Sequence, residues 1–185
     1  MVQSLRFTST TVLGAVLIDS ILREDGRGHF SRAWCKTEFA ENGIDFVPVQ
    51  ASSGFSFQKG TLRGLHYQVE PALEAKLVRC SRGAVFDVVV DLRLNSPTYF
   101  KWYGVELSAE NYRMLYVPEG CAHGYQTLED NTDLFYMTSQ YFTPNLARGV
   151  RFDNPAFGIK WPLIPIAMSE QDRNWPITSK ESPQI

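Results

Sequence analysis

Short runs of β-branched and aromatic residues recur along this chain, and glycine-, proline- and asparagine-containing turns separate them. These turns are spaced about 8–12 residues apart, as in an all-β sandwich or barrel. The predicted strands are 12–18, 46–51, 62–67, 76–80, 85–92, 103–107, 114–117 and 134–141. Residues 33–42 alone have a helical pattern, which Gly43 would cap. The sequence therefore predicts an all-β fold with one short helix.

The whole chain, residues 1–185, fits one domain. Its length and its 44% apolar content are enough for one well-filled core. The tail beyond residue 144 carries Pro155, Pro162, Pro165 and Pro176, and proline cannot donate a hydrogen bond within a sheet. We expect this tail to wrap irregularly around the barrel.

Charge and cysteine content restrict the partners and the compartment. The net charge is −2, whereas a nucleic-acid or anionic-membrane binder should show a basic excess. The three cysteines are odd in number and have no metal-type spacing, which favours a reducing, cytoplasmic location. The apolar run 12–18 is too short for a signal peptide or a membrane span.

The stretch 60–68 contains the first candidate for chemistry. His66 lies on a predicted strand, and a histidine titrates near neutral pH, which suits a general base. Strict alternation would put Arg63 and His66 on opposite faces of that strand. A glycine inside a strand often marks a bulge, and we expect a bulge or twist at Gly64 that turns both side chains to one side.

Two further features allow alternative interpretations. His66, Glu70 and His123 are the members of a conceivable metal cage, as in metal-dependent barrel oxygenases and isomerases. Asp87 and Asp91 share a strand face with Val85 and Val89, so one or both carboxylates point into the barrel or lie on a wet sheet face. His29 lies in a polar loop and is expected at a surface or interface.

The chain resembles the dTDP-4-dehydrorhamnose 3,5-epimerase family in ordered segments from about Asp25 to Asp172. The matching segments are Gly60-Thr-Leu-Arg-Gly-Leu-His-Tyr-Gln68, Lys76-Leu-Val78, Val85-Phe-Asp-Val-Val-Val-Asp-Leu-Arg93, Asn95-Ser-Pro-Thr98, Val117-Pro-Glu-Gly-Cys-Ala-His-Gly-Tyr125, Leu134-Phe-Tyr136, Gly158-Ile-Lys-Trp-Pro162 and Met168-Ser-Glu-Gln-Asp172. The resemblance implies a cupin-type jelly-roll barrel with an irregular C-terminal tail. It also implies a homodimer that exchanges N-terminal strands, with residues 1–45 as an arm at the interface.

The family chemistry is epimerisation at C3 and C5 of a nucleotide-linked 4-keto-6-deoxyhexose, with no cofactor and no metal. By motif position, His66 would be the base, Asp172 its orienting carboxylate and Tyr136 the acid across the sugar ring. Lys76 would stabilise the enolate oxygen with help from His123. The nucleotide sugar would be held by Arg27, Phe30, Arg32, Gln50, Ser52, Arg63, Gln68 and Tyr141, with Arg27 reaching in from the partner subunit.

This sequence departs from the family pattern mainly where the nucleotide should bind. Two aromatics and a nearby acid usually follow Arg27-Gly28, but here the run is His29-Phe30-Ser31-Arg32. The usual Gln-x-Asn is Gln50-Ala51-Ser52, and further departures occur at Met137, Ala147 and Gln171. A CDP-, GDP- or UDP-linked sugar, or epimerisation at a single carbon, therefore stays open as an alternative.

Overall fold

The computed structural model describes residues 3–180, which form two facing antiparallel sheets and one small hairpin. The first sheet contains, in spatial order, β1 (Leu5–Ser9), β2 (Val16–Ser20), β10 (Arg113–Val117), β7 (Lys76–Arg82), β12 (Thr132–Thr138) and β5 (Gln50–Ser56). The second contains β13 (Ala147–Gly149), β6 (Leu62–Gln68), β11 (Cys121–Thr127), β8 (Ala84–Asp91) and β9 (Trp102–Ser108). The hairpin pairs β3 (Arg23–Asp25) with β4 (Gly28–Phe30). The predicted all-β architecture is confirmed.

The main core lies between the two sheets. Val78 and Leu134 of the first sheet pack there against Val85, Val89 and Leu107 of the second. These side chains alternate with outward-facing ones along each strand, as the two-residue period of a strand requires. Of the two alternatives for Asp87 and Asp91, the inward one holds. Val85 and Val89 on the same face of β8 belong to this core, and both carboxylates are fully buried.

Two other layers cover the outer faces of the sheets. The short helix α1 (Lys36–Glu41) places Phe39 against Leu5 and Ile18 of the first sheet and against Phe46 of the segment before β5. The C-terminal tail packs Val150, Phe157 and Trp161 over the outward residues of β8, such as Val88. The tail follows the irregular path expected of it for most of its length, with a short helix, α2 (Glu170–Asn174), and a 3₁₀ turn at Pro144–Leu146. The expectation that it adds no strand is wrong, because β13 pairs with β6 in the second sheet.

Several predicted boundaries are wrong, each for a local reason. Residues 12–18 are not one strand, because the chain turns through residues 10–15 with Gly14 at φ +80° and starts β2 only at Val16. The helix is shorter than 33–42, and the strand predicted at 46–51 begins at Gln50. The region around His123 forms a full seven-residue strand, although its Ala122 and Gly124 have low strand propensity.

Candidate active site

A cavity of about 780 Å³ opens between the two sheets, and residues from both sheets and from the tail line it. His66 and His123 come from the second sheet, whereas Lys76 and Tyr136 come from the first. Asp172 and Trp175 reach the cavity from the tail around α2. A ligand in this space would therefore be contacted from two opposite sides.

His66 forms a close pair with a buried carboxylate. Its Nε2 lies 2.6 Å from Oδ1 of Asp172, and the other carboxylate oxygen accepts the Gly64 N–H at 3.3 Å. Burial raises the pKa of Asp172, but hydrogen bonds from His66, Gly64 and Trp175 and the charge of His66 outweigh burial, so that pKa lies below its usual value. Asp172 therefore stays ionised and can orient the imidazole.

A bulge in β6 puts Arg63 and His66 on the same cavity. His66 pairs with His123 on β11, but Arg63 pairs with Tyr125, so β6 carries one extra residue over this interval. Gly64 lies within the bulge at φ +125°, and a Cβ there would lie 2.6 Å from Cα of Gly124. Only glycine fits this close approach, and the bulge expected at Gly64 is confirmed.

The opposite wall is built from alternate residues of three neighbouring strands. Tyr136 on β12 pairs with Ser52 on β5, and Thr138 pairs with both Gln50 on β5 and Lys76 on β7. Because every second residue of a strand shares a face, these side chains project into the cavity together. The phenol and the ammonium thus face the histidine wall.

Lys76 is fixed by a carboxylate that the sequence analysis did not single out. Its Nζ lies 3.1 Å from Oε1 of Glu74, and the two side chains are only 10% and 9% exposed. The same ammonium lies 3.5 Å from the backbone oxygen of His66. A cation held in this way is oriented before any ligand arrives, which is what stabilisation of a developing oxyanion requires.

His123 belongs to a second histidine–carboxylate pair, deeper in the barrel. Its Nε2 lies 2.8 Å from Oδ1 of Asp87, whose carboxylate is fully buried. The other oxygen of Asp87 has no hydrogen-bond partner in the described part of the chain. Burial raises the pKa of the nearby Tyr125 phenol to about 12, so Tyr125 stays neutral.

The predicted binding residues divide into two groups. Gln50, Ser52, Arg63 and Gln68 line the cavity. The amide of Gln68 is engaged with the backbone, donating to the Ala72 and Tyr141 oxygens and accepting the Thr143 N–H, so it supports the loop 141–143. Tyr141 itself is 63% exposed and does not line the cavity, whereas its neighbour Phe142 does.

The N-terminal candidates lie outside the cavity of their own chain. Arg27 is paired with Asp25 at 2.7 Å on the exposed hairpin β3–β4, and Phe30 on the same hairpin is 62% exposed. Arg32 lies 3.6 Å from Glu38 of α1. The positions of these side chains in a single chain do not bring them to the predicted nucleotide site.

The cavity residues that had not been assigned a role from the sequence include Glu74, Arg148 and Trp175. A signal existed for two of them. Glu74 precedes Lys76 by two residues, and Trp175 follows Asp172 by three, a spacing that puts two side chains on one side of a helical turn. Arg148 lies on β13, a strand of three residues that no sequence pattern indicated.

The conceivable metal cage is not assembled. His66 and His123 are neighbours across β6 and β11, but Glu70 lines a different cleft with Asp45, Arg93 and Glu119. Between residues 3 and 180 no group of three or more histidine, cysteine or acidic side chains is placed to hold a metal ion. The histidines instead hydrogen-bond to Asp172 and Asp87.

The fold and the cavity together define a jelly-roll protein whose site contains groups that can exchange protons. A histidine–carboxylate pair faces a phenol and a fixed cation. Residues 9–180 match the sequence profile of the dTDP-4-dehydrorhamnose 3,5-epimerase family. This chain belongs to that family, whose members are carbohydrate epimerases.

Individual relatives agree with this assignment. The dTDP-4-dehydrorhamnose 3,5-epimerase of Sinorhizobium fredii is 43% identical over 171 residues, covering 92% of this chain and 88% of the relative. The Bacillus anthracis enzyme, solved with TDP and pyrophosphate bound, has a TM-score of 0.91 at 36% identity and covers 94% and 99% of the two chains. The Legionella pneumophila enzyme, solved with dTDP-4-keto-L-rhamnose, has a TM-score of 0.85 at 36% identity and covers 91% and 89%. The predicted jelly-roll fold is confirmed.

Proposed function

We propose that this chain inverts C3 and C5 of a dTDP-linked 4-keto-6-deoxyhexose by stepwise proton transfer. The observation that carries the proposal is the placement of the His66–Asp172 pair and of Tyr136 on opposite walls of one cavity. Inversion of a carbon centre needs a base on one face of the sugar ring and an acid on the other. The ligands named for the Bacillus and Legionella relatives support a thymidine nucleotide sugar here.

In the first step His66 removes the hydrogen next to the C4 ketone. The C–H bond breaks, its electron pair moves into an enolate, and the proton stays on the imidazole. Asp172 stabilises the resulting imidazolium from 2.6 Å without taking the proton. The negative charge develops on the C4 oxygen, where Lys76 supplies the fixed cation and His123 a hydrogen bond.

In the second step Tyr136 gives its phenolic proton to the same carbon from the opposite face. The enolate electrons form the new C–H bond and the ketone is restored. The tyrosinate then regains a proton from solvent, and the imidazolium of His66 releases its proton to solvent. Repeating the cycle at the second carbon completes the double inversion. The diphosphate would lie near Arg63 and Arg148, which add positive charge at the mouth of the cavity.

Solvent exchange tests this function directly. In deuterium oxide the wild-type enzyme is expected to introduce deuterium at C3 and C5 of dTDP-4-keto-6-deoxyglucose and to form the inverted product, as followed by NMR. The same substrate with CDP, GDP or UDP as its nucleotide is the comparison that tests the changed residues at positions 32 and 52. Absence of exchange with all four nucleotide sugars would refute the proposal, and exchange at one carbon would restrict it to a single epimerisation.

We also propose that two copies of the chain complete each other's sites by exchange of the N-terminal arm. The hairpin β3–β4 is exposed throughout and forms no sheet with the barrel strands. β5, whose Gln50 and Ser52 line the cavity, is the edge strand of its sheet and can accept another strand. An arm from a second copy would bring Arg27 and Phe30 to this edge.

Mixing two inactive variants tests the exchange. Arg27→Ala retains its own base, and His66→Ala retains its own arm, so a heterodimer contains one complete site only if the arm crosses. Statistical mixing through unfolding and refolding is then expected to restore about a quarter of the wild-type activity. No recovery, or a sedimentation mass equal to the 21.0 kDa of one chain, would contradict the proposal.

The compartment stays a prediction. Cys35, Cys80 and Cys121 carry free thiols, as a reducing cytoplasm would maintain. Among residues 3–180 no helix has the length and apolar character to cross a membrane.

A further inference from the structure

We propose that Trp175 is a positioning residue of the His66–Asp172 pair, a role that rests on the proposed function of His66 as the base. The indole Nε1 of Trp175 donates to Oδ1 of Asp172 at 3.1 Å. This is the same oxygen that lies 2.6 Å from His66 Nε2. One carboxylate oxygen therefore holds two ring N–H groups, and the base is oriented by a Trp–Asp–His chain rather than by Asp172 alone.

The indole of Trp175 lies over Gly149 of β13, where there is no side chain to fill the space. A Cβ at Gly149 would lie only 2.3 Å from Cε2 and 2.4 Å from Nε1 of Trp175, so the ring occupies the space that any other residue would fill. Gly149 is also the cross-strand partner of His66. The indole and the imidazole therefore lie next to each other over the paired strands β6 and β13, with ring centroids 6.2 Å apart and ring planes at 72°.

The backbone of α2 positions both the Asp172 carboxylate and the Trp175 indole. The Ser169 hydroxyl caps the helix by accepting the Asp172 N–H at 3.0 Å, and Trp175 ends the helix three residues after Asp172. The carboxylate and the indole therefore leave the same helical turn. Movement of this turn would displace both partners of His66, which makes the orientation of the base depend on the tail.

The indole N–H also influences the charge state of Asp172. A neutral donor on Oδ1 favours the ionised form of Asp172 and lowers its pKa, as Gly64 does at the other oxygen. It also withdraws part of the carboxylate's charge from the imidazolium. Other charged or titratable groups that line the same cavity or lie on α2 are Arg63, Tyr67, Glu74, Lys76, His123, Tyr125, Tyr136, Arg148, Glu170 and Arg173.

Trp175→Phe removes the N–H and keeps an aromatic ring over Gly149. We expect kcat to fall roughly 10- to 100-fold with little change in KM, since the base is less well placed while substrate contacts remain. The acid limb of the kcat/KM profile should move to higher pH, because the full carboxylate charge then favours the protonated imidazole. Trp161→Phe is the matched control, since it removes an indole N–H that donates to the Phe152 carbonyl on the outer face of the second sheet.

An NMR measurement on the free ¹⁵N-labelled protein separates this proposal from the proposed function. The Trp175 indole resonance, assigned by its loss in Trp175→Phe, should shift with pH, and that pH dependence should vanish in His66→Ala. A resonance insensitive to His66, or a Trp175→Phe enzyme with wild-type kcat and pH profile, would overturn the positioning role. Failure of wild-type exchange would instead refute the proposed function and leave the NMR result standing.

Discussion

Replacing His66 by alanine is expected to slow both epimerisation and solvent exchange strongly. The imidazole of His66 lines the cavity and is held by a carboxylate at 2.6 Å. His123, the other histidine of this wall, is only 9% exposed and its Nε2 is held by Asp87, so we expect that it does not replace His66 as the base. General-base catalysis of this type contributes about 10²- to 10⁴-fold, and we expect a rate loss in that range. Deuterium incorporation at C3 and C5, followed by NMR, measures the loss directly.

The interpretation requires that the variant still folds and binds. The His66 side chain is 43% exposed to the cavity, so its removal leaves the main core and the two outer layers intact. The thermal unfolding midpoint and the stabilisation by the nucleoside diphosphate should therefore match the wild type. A folded, nucleotide-binding His66→Ala enzyme that still exchanges C3 or C5 protons would show that another group is the base.

Tyr136→Phe is expected to separate exchange from inversion. The ring of phenylalanine preserves packing on β12 but cannot donate a proton, so the enolate formed by His66 has no acid on its opposite face. Reprotonation then occurs from the His66 side, which restores the starting configuration with a solvent-derived hydrogen. We expect formation of the inverted product to fall by about 10²-fold or more, while deuterium still enters the substrate.

A tyrosine remote from the cavity provides the control. Tyr99→Phe removes a phenol that packs on the outer face of the second sheet, and this variant should retain full inversion. Equal loss of exchange and inversion in Tyr136→Phe would mean that Tyr136 acts before the enolate forms. Full inversion by that variant would remove Tyr136 from the reaction.

The sequence pointed to some of the site residues and missed others. The resemblance of ordered motifs singled out His66, Lys76, Tyr136 and Asp172, and all four line one cavity. Glu74 and Trp175 were not singled out, although each binds one of those four directly. Their roles depend on contacts with the motif residues, and local sequence patterns do not record such contacts.

The N-terminal arm shows the opposite case. The resemblance assigns Arg27 and Phe30 to nucleotide binding, yet the hairpin that carries them is exposed and lies outside the cavity of its own chain. The resemblance also implies that Arg27 reaches in from the partner subunit, and that part stays a prediction. The proposed exchange of arms resolves this difference and is open to the mixing experiment.

The sequence by itself determined the all-β class and the bulge at Gly64, because strand alternation and glycine geometry are local properties of the backbone. It left open whether Asp87 and Asp91 of β8 point inward, and the pairing of Asp172 with His66 was only implied by the resemblance. The tertiary structure decided that both β8 carboxylates are buried.

The tertiary structure also decided that Asp172, about a hundred residues beyond His66, meets the imidazole, and that Trp175 shares the same carboxylate oxygen. These contacts depend on the path that brings α2 and Trp175 over β6 and β13. Packing of distant segments fixes that path, and no period or spacing along the chain encodes it.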